Sequence, residues 1–193
     1  MMTPSQPCGK DGNEIDWLDK TSKGKITENK VAARGALKGH KVVKLRWTEG
    51  EITATGGNNI NDTLNKIKLG KGDINNHFSY AYINVVSPKS ADGFMFVGSD
   101  DSIMVWLNGE EVHKNNINRG AGNFQEHFKV SLKKGDNPLL VKVGECGGGW
   151  SMFVGFDRNI EKGLKFNTKQ AKANLAVSLG DKSPSAWGEI KAR

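Results

Sequence analysis

Two adjacent carboxylates, Asp100 and Asp101, sit in the run GSDDSIMVWLNGEEVH at residues 98–113. Paired hard oxygens of this kind can join a calcium shell, which needs about six to eight oxygen ligands. Asn115, Asn116 and Asn118 in the next loop could add oxygens. The other chemistry open to the pair is turn formation, with each Asp bonding a nearby backbone N–H before a strand begins. One Asp pair supplies too few ligands alone, which favours the turn. A catalytic acid pair fits less well. Glycosidase carboxyls face each other across a substrate, about 5 to 9 Å apart, whereas neighbours on a strand point to opposite faces.

The loop after these acids, HKNNINRG, contains His113, Asn115, Asn116, Asn118 and Arg119. It offers the donors and acceptors that a hydroxyl-rich ligand needs, or it is an ordinary solvated loop. Trp150 follows Gly147-Gly148-Gly149. An exposed indole there could stack on a sugar ring. Its phase with Met152, Val154 and Phe156 points instead to a core position. Trp106 has the same two readings, in phase with Met104 and out of phase with Ile103 and Leu107.

No GxSxG, HExxH or P-loop pattern is present. No CxxC pattern is present either, so a zinc site is not indicated. Cys8 and Cys146 could form one disulfide in an oxidising compartment, or stand as two thiols. Pairing Cys146 with His113 or His127 as a nucleophile is disfavoured, because a cysteine at a strand end is usually a small buried residue. The chain is therefore expected not to be an enzyme.

These residues need a scaffold, and the composition limits which one. The chain has 193 residues, enough for one domain with a sizeable core. Its 24 glycines and 5 prolines suit a turn-rich β protein. The net charge is +7, but the lysines are scattered as pairs such as Lys133-Lys134. That pattern points to solubility rather than a nucleic-acid footprint. No apolar run is long enough for a membrane span. MMTPSQPCGK lacks the apolar region of a signal peptide.

Alternation then places the strands. HKVVKLRW (40–47), SYAYINVVSP (79–88), GFMFVGS (93–99), SIMVWL (102–107), HFKVSL (127–132), PLLVKVGE (138–145) and WSMFVGF (150–156) all read as strands. Asn108-Gly109 marks a tight hairpin, and KKGDN (133–137) reads as the turn of a second hairpin. Residues 51–77 read as long loops around short strands, with Asn61-Asp62-Thr63 as a glycosylation sequon. The expected organisation is a flexible lead-in over 1–16, an antiparallel β-sandwich over 17–157 and a Lys-rich C-terminal extension over 158–193. One short helix is expected at TKQAKANLAVSL (168–179).

GSDD before VWLNG, the His after it, the Arg-Gly loop, LKKGDNPLLVKV and the Gly-rich loop before an aromatic strand form a pattern over roughly residues 77–157. It resembles the galactose-binding-like domain found in the sugar-binding part of family 2 glycoside hydrolases and in accessory modules of secreted proteins. The SDD element is also similar to that of protective-antigen-type sugar-binding domains, in which paired acids can hold calcium. The resemblance implies an all-β jelly-roll sandwich. It also implies a secreted, non-catalytic carbohydrate-binding module, attached to a larger enzyme or adhesin. Ligand contacts would come from Trp150, Trp106, His113, Asn115, Asn116, Asn118 and Arg119, and calcium, if bound, from Asp100 and Asp101. The alternatives are a calcium-stabilised structural or adhesive domain and a basic module that binds anionic polysaccharide.

Overall fold

A computed structural model describes residues 1–3, 7–36, 39, 41–42 and 45–171. The described chain is mostly antiparallel strand. It opens with three short helices, α1 (Gly9–Gly12), α2 (Trp17–Ser22) and α3 (Glu28–Arg34). Two-residue strands β1 (Lys41–Val42) and β2 (Leu45–Arg46) and helix α4 (Asn59–Lys66) follow. The main strands are β3 (His77–Ser87), β4 (Ala91–Asp100), β5 (Ile103–Leu107), β6 (Glu110–Asn115), β7 (Glu126–Leu132), β8 (Gly135–Glu145) and β9 (Ser151–Phe156). Helix α5 (Arg158–Glu161) and strand β10 (Lys165–Asn167) complete the described chain. The two larger sheets have the orders β10-β3-β8-β5-β6 and β7-β4-β9, and β1 and β2 form a small third sheet.

The two larger sheets share one apolar cluster. Val85, Val105 and Val141 of the five-stranded sheet meet Met95, Val97 and Val130 of the three-stranded sheet there. The opposite face of the five-stranded sheet is apolar as well, with Phe78, Tyr80, Met104, Trp106 and Leu140. Helices α2 and α3 cover it through Trp17, Leu18, Val31 and Ala32. Asp16 and Thr27 start these helices, each accepting a backbone N–H from the first turn. All five residues of β5 are consequently buried. The expectation that one of its faces would be more exposed than the other gives way to two covered faces.

Several elements differ from the sequence reading. The lead-in is packed: Thr3 and Asn13 are buried, and Cys8 is disulfide-bonded to Cys146, 138 residues away. Residues 40–47 do not form one strand, because Lys41–Val42 pairs back on Leu45–Arg46. The expected loops over 51–77 contain α4, whose Ile60 and Leu64 join the shared core. Asn61 of the sequon is buried, and its side chain accepts the Ile74 N–H at 3.1 Å. The extension after 157 begins inside the fold, with β10 pairing on β3. The helix expected at 168–179 lies almost wholly outside the described residues.

Asn108-Gly109 does turn β5 into β6, with both residues at positive φ (57° and 88°). KKGDN does not close a hairpin. β7 pairs with β4, while β8 pairs with β3 and β5, so this turn crosses between sheets. The reason is burial. Nearly every residue of β8 is buried, which requires a partner strand on each side. Asn137, with no exposed surface, fixes the crossing. Its side-chain amide donates to Lys133 O (2.8 Å) and Gly135 O (2.9 Å), and its oxygen accepts the Lys133 N–H at 2.8 Å.

One charge lies inside the helix-covered face. Lys142 is fully buried and its ammonium donates to Glu28 Oε1 at 2.8 Å and to Ile15 O at 3.2 Å. The Tyr80 hydroxyl donates to the same Glu28 oxygen at 2.6 Å. Burial pushes the Glu28 carboxyl up and the Lys142 ammonium down, and their mutual attraction opposes both shifts. Lys142→Ala leaves Glu28 buried without its cation and is expected to cost about 3 to 5 kcal/mol in urea unfolding. Replacing both partners with apolar residues, Lys142→Met with Glu28→Leu, is expected to recover most of that loss.

Candidate functional site: a carboxylate cluster at the ends of β4 and β8

Strand β4 ends in Asp100, and a cis peptide bond joins it to Asp101. Strand β8 ends beside it in Glu145. One carboxylate oxygen from each of Asp100, Asp101 and Glu145 lies within 4.8 Å of the other two. Asp101 is held by backbone from both sides. Its Oδ1 accepts the Arg119 N–H at 2.7 Å, and its Oδ2 accepts the Cys146 N–H at 2.8 Å. The turn expected here, with each Asp bonding a nearby backbone N–H, gives way to long-range capping of Asp101 by donors 18 and 45 residues away.

Glu145 is the residue the sequence reading missed. It is fully buried, and neither carboxylate oxygen has a well-formed hydrogen bond. Burial, then Asp101 and Asp100, pushes its pKa up to about 8; the nearby Gly147 N–H offsets this only in part. Asp100 is partly exposed and is pushed up to about 6 by burial and by Asp101. A signal for Glu145 existed. It continues the phase of Leu139, Val141 and Val143, which puts a carboxylate at a core position. Ser151, opposite Asp100 in register, adds a buried hydroxyl with no partner. Buried polar groups without partners are rare and call for a reason.

Three carboxylates form a hard-oxygen donor set, which suits calcium or magnesium rather than a soft metal. The spacing fits as well, since oxygens bound at about 2.3 to 2.6 Å from one ion lie within about 5 Å of each other. The residues present therefore fit a divalent cation, and the orphaned Glu145 oxygens are what makes the fit specific. The Gly147–Gly149 loop lets the backbone close in on this end. A Cβ on Gly149 would stand 2.9 Å from Asp100 Oδ2 and would collide with Gly57 O.

The predicted ligand residues are placed differently. Trp150 is fully buried in the shared core, where its backbone N–H donates to Asn58 Oδ1 at 2.9 Å. Trp106 is buried under the helices, with the Lys142 ammonium 5.7 Å from its ring. Neither indole offers a free face for stacking, which corrects the sugar-stacking role expected of both. Core phase decided both positions.

The HKNNINRG residues come together, but their polar groups face one another. The Arg119 guanidinium makes two bonds to Glu126, at 2.5 and 3.0 Å, and reaches Ser99 O and Oγ. Asn115 donates to Glu126, and His113 meets Glu126 at 3.2 Å while stacking on Phe128 with ring centroids 4.5 Å apart. Asn116 bonds Asn13 and Glu14, and Asn118 accepts the Lys10 N–H at 2.8 Å. The loop is thus tied to β7 and to the N-terminal segment. Through the Arg119 N–H it positions Asp101. These residues brace the carboxylate cluster rather than present a separate binding loop.

No family model, curated protein or solved structure matches this chain.

Burial alone would raise the Glu126 carboxyl, but Arg119, Asn115 and His113 outweigh it and hold the pKa below the usual value. A depressed carboxyl contributes stability that is present above its unfolded pKa and lost as pH falls through the folded one. Glu126→Gln is expected to cost about 2 kcal/mol near pH 7. It is also expected to flatten the fall in stability below about pH 4.5. Urea midpoints measured from pH 7 down to pH 3 check both.

Proposed function

We propose that the chain is a non-catalytic carbohydrate-binding module whose binding end is organised by a calcium ion at Asp100, Asp101 and Glu145. The observation that carries this reading is the buried Glu145 carboxylate, which lacks a well-formed hydrogen bond and lies beside the Asp pair. Calcium there would neutralise three like charges, and coordination positions not filled by protein could accept vicinal sugar hydroxyls. Asp100, the partly exposed member, marks the side from which a glycan would approach. The rigid antiparallel frame and the resemblance to galactose-binding-like jelly-roll domains support the same reading. So does the Cys8–Cys146 disulfide, which suits a secreted protein in an oxidising compartment. A partner enzyme or adhesin on the same polypeptide would give a weak module its purpose, with affinity of about micromolar to millimolar raised by tethering.

A calcium-stabilised adhesive domain without sugar binding is the second reading, favoured by the depth of Asp101 and Glu145. The two readings separate in one series of measurements. Calcium at about a hundredfold excess over its Kd is expected to raise Tm by roughly 5 to 10 °C, and a chelator to reverse the rise. Glu145→Gln is expected to remove the calcium response while raising Tm at pH 8 without calcium, since an unpaired buried charge is gone. Absence of any calcium response in the unmodified protein defeats both readings. A glycan array run with calcium and with chelator then decides between them. Neutral-glycan binding that requires calcium supports the module, and binding to none leaves the adhesive domain.

A further inference from the structure

The outer face of β7-β4-β9 presents an aromatic strip that the carboxylate cluster does not use. Phe94 and Phe96 of β4 point outward, opposite Lys129 and His127 of β7 in register. Ring centroids lie 5.8 Å apart for Phe94–His127, 5.8 Å for Phe96–His127 and 6.0 Å for Phe96–Phe124. Phe94 is 37% exposed and Phe124 54%. The tip of the Phe124 ring lies over Gly155, where a Cβ would come within 2.9 Å of it, so the missing side chain makes room for the ring. Aromatic rings held this way on a rigid surface leave faces free to stack on sugar rings.

Lysines flank the strip. Lys129 stands directly beside Phe94, and Lys133 and Lys134 follow at the end of β7. All three are exposed, and none forms an ion pair among the described residues. Two acids lie among them: Asp92, on the same strand face as Phe94, accepts the Ser131 hydroxyl at 2.6 Å, and Asp157 accepts the Phe94 N–H at 2.6 Å, which leaves the three lysines in excess.

We propose that this face is a second binding surface, for an acidic polysaccharide carrying uronate or sulfate groups. The rings stack on the apolar faces of the sugars, and Lys129, Lys133 and Lys134 pair with the acidic groups. Single-stranded nucleic acid would satisfy the same chemistry. The Cys8–Cys146 disulfide favours the polysaccharide, because it belongs to an oxidising compartment. The inference deepens the carbohydrate reading above but does not depend on the cation.

The test uses the full chain with heparin, alginate, neutral dextran and poly(U) as probes, measured by biolayer interferometry at low and high salt. Heparin or alginate is expected to bind and to weaken by about tenfold or more as salt rises. Phe94→Ala and Lys129→Ala, both exposed positions, are each expected to weaken it by about tenfold with Tm unchanged. Chelator and Asp101→Asn are expected to leave it intact, while any calcium-dependent neutral-glycan binding is lost with Asp101→Asn. The proposal is overturned if neither polyanion binds, if the two substitutions change nothing, or if poly(U) binds as tightly as the glycans. Loss of polyanion binding on chelation also overturns it, because the cluster would then be the site.

Discussion

A sheet with two apolar faces must be covered twice, and the rest of this structure follows from that need. The five-stranded sheet sends Val105, Val141 and Val143 to one side and Trp106, Leu140 and Lys142 to the other. The three-stranded sheet covers the first side. The second would be open to water without the N-terminal helices, so residues that read as a polar preamble become part of the core. Lys142 shows the cost of this arrangement. Once covered, an ammonium at that position must find a carboxylate, and Glu28 from α3 supplies it.

The same layering explains where the polar chemistry collects. Strands β4 and β8 lie in different sheets, yet both end at the same edge of the shared core. Core phase carries Glu145 inward just where β4 gives way to Asp100 and Asp101. The HKNNINRG loop closes over that end, with Arg119 and Glu126 as its anchor. The loop, through Arg119, and the disulfide-bonded Cys146 converge on Asp101 through backbone N–H groups. A charge held by two segments so far apart in sequence is a position the fold specifies closely.

Much of the frame is legible in the sequence. The alternation in 79–107 and the Asn108-Gly109 turn placed β3, β4, β5 and the β5–β6 hairpin. What local pattern could not give was which strand pairs with which. KKGDN has good hairpin residues, but β8 is buried on every side and takes β3 and β5 as neighbours instead. Helix α4 was hidden among Asn and Gly, although Ile60 and Leu64 stand at helical spacing. Asp100 and Asp101 are visible by type, whereas Glu145 needs the phase of its strand to be followed two residues beyond Val143, its last apolar position. Trp150 and Trp106 misled because an indole reads alike at a surface and in a core, and only the covering layer decides.

The Cys8–Cys146 bond joins two points 138 residues apart, and α1 to α3 rest on strands made long after them. During synthesis the first helices leave the ribosome with no surface to settle on, because β8 emerges last among the strands they cover. The first helices must wait for β8, so the carboxylate end can be assembled only after Glu145 and Cys146 have been made. A truncated product ending before Glu145 would hold neither the cover nor the cluster, and quality control would meet it as exposed Trp17 and Leu18.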